Sequence, residues 1–325
     1  MKVTNKMIDK QLRLTGKLMD LIIHASSETE FLKNAQRNQK ILNKFFAGKN
    51  IKELKSSEKL IPRKKDESKL RIRIYKPLNP KQDVPGVLWI HGGGYAFGVP
   101  EQDEVMYKKL IQESNCVIVA PDYRVSIDEP YPAALEDCYE ALLWMKINAK
   151  ELGIRENQLM VGGDSSGGGL TAALTLYARD KGEVNIAFQM PLYPMIDDRM
   201  ISESAKDNNA PIWNSDSNRW AWKLYLGELY GKDVPAYAAP ARATDYSNLP
   251  PTATFIGDLE PFRDETIQYV VNLRKAGVPV DFEMYEGCYH AFHAVNSRAD
   301  ISKKAISFFI NSFNYAVAHY FAEQK

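Results

Sequence analysis

From residue 70 onward the chain alternates short apolar runs with segments of helix length, and this alternation limits the possible folds more than any other feature. The runs are "GVLWIH" (86–91), "CVIVAP" (116–121), "QLMVGG" (158–163), "AFQMPLY" (187–193), "TATFIG" (252–257) and "VDFEMYE" (280–286). As a set they read as strands buried on both faces. Between them lie helical patterns. In "PAALEDCYEALLWMKINAK" (132–150) a proline stands near the start, and Leu135, Cys138, Leu142 and Met145 form one stripe. A second helix is expected to open at Ser165 and stop at Gly182. Strand–helix–strand units joined by right-handed crossovers build a mostly parallel sheet with helices on both faces, and such sheets bind ligands at the carboxyl ends of their strands.

Two segments depart from this rhythm. Residues 1–65 are lysine-rich, with apolar positions at helical spacing (Met7, Leu12, Leu14, Leu18, then Phe31, Leu32, Leu42, Phe45, Phe46), and are expected to form surface helices that cover part of the molecule. Residues 198–234 carry three of the five tryptophans and no strand pattern, so they read as a cap inserted between core strands. An amphipathic helix packed on the sheet is the plainer alternative for any one of these aromatics. The core then comprises 66–197 and 235–325, and all four segments belong to one structural domain.

Composition narrows the function. The 42 Lys and Arg nearly balance the 41 Asp and Glu, so no overall field recruits nucleic acid. Cys116, Cys138 and Cys288 are too scattered for a disulfide framework or a zinc site. No stretch reaches the roughly 18 to 20 apolar residues of a membrane span, and the N-terminus lacks the apolar core of a signal peptide. The expectation is a cytoplasmic protein whose specificity resides in a site, with no metal or organic cofactor.

That site is expected at "VGGDSSGGGL" (161–170), where Gly163-Asp164-Ser165-Ser166-Gly167 spells G-x-S-x-G between a strand and a helix. A nucleophile elbow needs this context, because the chain reverses so sharply that only glycine fits two residues either side of the serine. Ser165 becomes the candidate nucleophile at a helix N-terminus, and Ser166 contributes its backbone N–H to an oxyanion hole. A phosphate-binding loop is the rival, but neither glycine cluster spells G-x-G-x-x-G or G-x-x-x-x-G-K-[ST]. The second cluster, "HGGGYAFG" (91–98), follows a strand, and its glycines let two N–H groups point at one oxygen, as a tetrahedral oxyanion requires.

Together, "HGGG", "GDSSGG", "PDYR" (121–124), "YPAALEDCYEALLW" (131–144) and "EPFRDE" (260–265) resemble the motifs of the hormone-sensitive-lipase-like esterases, over roughly residues 70 to 320. The resemblance implies an α/β-hydrolase fold with a helical cap. It matches Gly93 and Gly94 to the family's oxyanion donors and His91 to a loop-ordering histidine. Glu136 and Asp137 match carboxylates that brace the loop beneath the site.

A serine hydroxyl needs a general base, and the base needs an acid to fix its tautomer. His290, His293 and His319 follow Ser165. His290, in "GCYHAF", fits the family's histidine motif, whereas His293 and His319 are expected at the surface. For the acid, "DLEPFRDE" offers Asp258, Glu260, Asp264 and Glu265. Alignment with the family's D-P-L-R-D puts Glu260 at the catalytic position, a departure from aspartate. Asp258 remains the alternative, and Asp264 is expected in a salt bridge with an arginine. The resulting expectation is a serine carboxylesterase acting on small, soluble, short- to medium-chain esters, with Tyr95, Trp213 and Trp220 against the substrate. No large lipid-facing surface is evident. An amidase or deacetylase using the same site, or a non-catalytic binder of a small ligand, is the alternative, and the resemblance also allows a homodimer.

Overall fold

The computed structural model describes residues 1–23, 25–66 and 68–324; His24, Glu67 and Lys325 lie outside the described residues. Eight strands, β1 (Leu54–Pro62), β2 (Lys69–Pro77), β3 (Val84–Ile90), β4 (Val117–Pro121), β5 (Ile154–Asp164), β6 (Phe188–Leu192), β7 (Thr252–Gly257) and β8 (Val280–Tyr285), form one sheet in the order β1-β2-β4-β3-β5-β6-β7-β8. β2 runs antiparallel to both β1 and β4, and all other pairs are parallel. Strands β3, β4, β6 and β7 are buried at every residue, as their mostly apolar runs require; the polar exceptions are satisfied, Gln189 by donating to Thr252, and Thr254 by donating to the Pro191 carbonyl.

The helices are α1 (Arg13–Ile23), α2 (Glu28–Phe45), α3 (Glu104–Ser114), α4 (Ala133–Ile147), α5 (Ala149–Leu152), α6 (Ser166–Lys181), α7 (Ser215–Leu226), α8 (Arg263–Lys275), α9 (Phe292–Val295) and α10 (Asp300–His319). On α4 the stripe Leu135, Cys138, Leu142 and Met145 is wholly buried. α6 begins one residue after Ser165 and ends at Gly182, whose φ of 66° is the left-handed turn that glycine adopts without strain.

Three regions differ from the sequence reading. Residues 54–62 are a strand, not part of a helical segment: β1 pairs along its whole length with β2, from Leu54 opposite Pro77 to Pro62 opposite Lys69. Its lysines and glutamate suit a sheet edge, where charge discourages pairing with another chain. The opposite edge, β8, is also exposed, and only its Tyr285 is buried. The third concerns the N-terminal helices. Leu12 and Phe31 are buried, but on α1 Leu14, Leu18, Leu21 and Ile22 are 70%, 51%, 74% and 64% exposed. A sizeable apolar surface therefore faces solvent, because helical spacing is the same whether a stripe points inward or outward.

The N-terminal segment clasps the loop that follows β8. The Asp9 N–H donates to the Gly287 carbonyl at 2.9 Å, and the Tyr289 hydroxyl meets the Leu12 carbonyl at 3.1 Å. Gly16 lies so close to the Tyr289 ring that a Cβ there would come within 2.7 Å of it.

Candidate active site

The glycine run in β5 and α6 exists because backbone passes on every side. A Cβ on Gly163 would lie 2.4 Å from the Ile90 carbonyl oxygen, and one on Gly167 would lie 2.1 Å from the same atom. Between them Ser165 adopts φ 57°, ψ −118°, a conformation that costs a non-glycine residue about 1 to 3 kcal/mol. The end of β6 and the loop that follows it over-determine this conformation. Its N–H donates to the Leu192 carbonyl at 3.0 Å, and its carbonyl accepts from the Met195 N–H at 3.0 Å. The turn aims Oγ away from the sheet.

On the far side of that oxygen stands His290, with Nε2 2.8 Å from Ser165 Oγ and Nδ1 2.6 Å from Glu260 Oε2. The other oxygen of Glu260 accepts from the Gly257 N–H at 3.0 Å, which fixes the carboxylate at the end of β7. All three side chains are buried. Asp258 takes a different part. Its Oδ1 accepts from the Gly287 N–H at 2.7 Å and from the Cys288 N–H, so it holds the histidine loop without touching the ring. Asp264 pairs with Arg263 at 2.7 Å and accepts from the Ser204 N–H at 2.8 Å.

The "HGGG" loop reaches the same point from β3. Gly93 and Gly94 have φ of 130° and 61°, and among the described residues no backbone or side-chain acceptor takes their N–H groups or that of Ser166. Gly92 is tied down: its N–H donates to Asp164 Oδ1 at 3.0 Å. His91 stacks on Tyr123 with ring centroids 4.2 Å apart, and burial pulls its pKa down to about 4, so it is a neutral brace under the loop. Deeper still, Asp137 accepts from both Arg63 and Arg124 at 2.7 to 3.2 Å, while Glu136 lies 3.8 Å from Arg124.

The remaining candidates fall in varied places. Trp213 covers the site: a Cβ on Gly94 would be 2.4 Å from its ring, and its centroid is 6.2 Å from that of His290. Phe31 of α2 packs behind it at 6.2 Å, and Trp220 packs on Phe31 at 5.8 Å. Tyr95 is turned into the packing, stacked on Tyr225 at 3.8 Å, with its hydroxyl donating to the Met195 carbonyl at 2.7 Å. His319 is exposed. His293, expected at the surface, is instead buried among Tyr193, Phe255 and Phe292, and this burial lowers its pKa to about 3.

Sequence reasoning passed over the residues around Asp164. Besides Gly92, Asp164 accepts from the Tyr193 hydroxyl at 3.2 Å, and Asp103 accepts from the Trp89 indole N–H at 3.1 Å. Both carboxyls line one cavity of about 250 Å³ beside His293, and burial pushes both above the ordinary carboxylate range. The only sequence signal was that Asp164 adjoins the serine. Among the described residues no cluster of three or more His, Cys, Asp or Glu is placed to hold a metal ion.

Comparison with known proteins bears on this arrangement. A family model described as alpha/beta hydrolase fold matches residues 87–294. Esterase LipI of Mycobacterium tuberculosis is 33% identical over 223 residues, covering 68% of this chain and 70% of its own. An arylesterase of Saccharolobus solfataricus is 31% identical over 238 residues, covering 70% and 74%. Among solved structures, a bacterial heroin esterase superposes with a TM-score of 0.88 at 31% identity, over 97% of this chain and 99% of that one.

Proposed function

Because the chain belongs to the α/β-hydrolase family, in its hormone-sensitive-lipase-like esterase group, we propose that it is a serine carboxylesterase that cleaves short- to medium-chain acyl esters through a covalent acyl-enzyme. The observation that carries this reading is the unbroken hydrogen-bond chain Ser165–His290–Glu260 beside three N–H groups that find no acceptor among the described residues. Ser165 Oγ attacks the ester carbonyl while His290 Nε2 takes its proton. Glu260 accepts from Nδ1–H and stabilises the imidazolium, so the ring keeps the tautomer that leaves Nε2 basic. The N–H groups of Gly93, Gly94 and Ser166 receive the oxyanion; one such donor is worth about 3 to 4 kcal/mol in a tetrahedral transition state. His290 then protonates the departing alkoxide, and a water activated by the same nitrogen releases the acid.

Trp213 supports the preference for small acyl groups, since it occupies the space directly over Gly94 and His290. Replacing it with alanine is expected to raise the octanoyl-to-acetyl ratio of kcat/KM by about tenfold; an unchanged ratio removes Trp213 from the acyl pocket. A fluorophosphonate probe tests the reading as a whole. It is expected to label the native protein stoichiometrically and Ser165→Ala not at all, with hydrolysis of p-nitrophenyl butyrate lost in parallel. Labelling that survives the substitution, or absence of turnover on every short activated ester, overturns it.

A further inference from the structure

The outer face of α2 carries Lys33, Arg37, Lys40 and Lys44 at spacings of four, three and four residues, opposite the buried Phe31 and Ala35. Among the described residues no acidic side chain pairs with any of these four cations. Ile41 and Phe45 stand on the flank of the same stripe and are 43% and 50% exposed, with Phe46 just beyond at 44%. The exposed aliphatic stripe of α1 lies immediately upstream in the chain. The charge is segregated: residues 1–52 hold eleven Lys or Arg against four Asp or Glu, net +7, on a chain that nets +1. Everything after residue 52 is therefore net negative.

We propose that α2, with α1 ahead of it, docks the protein on an anionic phospholipid surface. Exposed Phe and Ile bordering unpaired Lys and Arg are what an interfacial helix presents: the apolar side chains enter the boundary of the bilayer while the cations meet phosphate and carboxylate headgroups. A second copy suits the face poorly, because a two-fold contact would set one row of cations against another. A nucleic acid would use the cations and leave the apolar stripe of α1 unused. Among the described residues no helix is long and apolar enough to cross a membrane, so the attachment is peripheral. The inward face of α2 bears Phe31 against Trp213, so docking sets the roof of the candidate site against the lipid and favours esters that partition there.

Sedimentation of the full-length protein with vesicles tests this without any turnover, so it stands or falls separately from the catalytic reading. Partition onto phosphatidylcholine vesicles containing phosphatidylglycerol is expected to exceed that onto phosphatidylcholine alone by at least about 100-fold, and to collapse in high salt. Lys33→Glu/Arg37→Glu/Lys40→Glu/Lys44→Glu should abolish the difference, and Ile41→Ser/Phe45→Ser should weaken binding by about tenfold. Unchanged hydrolysis of a soluble butyryl ester, measured without vesicles, shows that both variants are folded. Equal partition onto the two vesicle types, or partition indifferent to charge reversal, overturns the proposal. So does a dimer in light scattering that Ile41→Ser/Phe45→Ser dissociates, or a preference for duplex DNA over the anionic vesicles.

Discussion

Beneath the candidate nucleophile the backbone is tightly packed: a Cβ on Gly163 or Gly167 would run into carbonyl oxygens, and Ser165 is held in a strained conformation by its hydrogen bonds to Leu192 and Met195. Above it, in the N-terminal helices, large apolar side chains stand in solvent. Leu12 is fully buried, yet Leu14, two residues on, is 70% exposed. The floor is over-determined and the roof is not. A rigid floor keeps the reacting groups within hydrogen-bond distance of each other, whereas a roof that buries little can shift at small cost.

The sharpest way to break this contrast is at the floor. Ser165→Ala or His290→Ala should lower kcat by about 10⁴-fold or more while the chain still folds, read by steady-state kinetics and circular dichroism. Next come the two carboxylates. Glu260→Gln is expected to cost about 10³- to 10⁴-fold in kcat, because the imidazole loses the acceptor that sets its tautomer. Asp258→Asn should keep kcat within about tenfold and instead lower stability by about 1 to 2 kcal/mol, since the Gly287 N–H loses a charged acceptor. The reverse result would move the acid to Asp258.

Stability measurements carry the comparison into the roof. Leu12→Ala should cost about 2 to 5 kcal/mol in denaturant unfolding. Leu14→Ala, by contrast, should stay within about 0.5 kcal/mol. Between them in size lies a pH effect. His91 and His293 have folded pKa values of about 4 and about 3, below the ordinary histidine value of about 6.5. Their contribution is complete above about pH 6.5 and is lost as pH falls toward those values, because the unfolded chain takes up protons that the folded one refuses. Between pH 6 and 4.5 each should remove at most about 1.4 kcal/mol per pH unit, the value for a full proton of difference. His293→Phe should reduce the loss of stability by about 1 kcal/mol per pH unit in this window; an unaltered slope would mean that His293 is protonated in the folded state.

Most of what lies at the carboxyl ends of the strands was legible in the sequence, because the constraints there are local. A glycine two residues from a serine, or three glycines after a strand, states a backbone geometry directly. What was not legible depends on partners distant in sequence. β1 is a strand only because β2 lies beside it, and its lysines disguise it. His293 is buried because Tyr193 and Phe255 close over it. The exposed face of α1 carries the same spacing as a buried one. Glu260 and Asp258 differ by two positions and could be ranked only by motif; the hydrogen bonds of the Gly287 loop separate them. Asp164 and Asp103 converge across sixty residues of intervening chain, and no spacing links them.

The clasp between the N-terminal segment and the loop beside His290 also has a bearing on how the protein is made. Tyr289 binds the carbonyl of Leu12 across 277 residues of sequence. During synthesis Leu12 emerges long before Tyr289, so this tie on the loop beside the candidate base forms only after 277 further residues have been added. A nascent chain that ends after α6 carries the elbow but not the histidine, so the candidate triad is complete only once the chain through His290 has emerged.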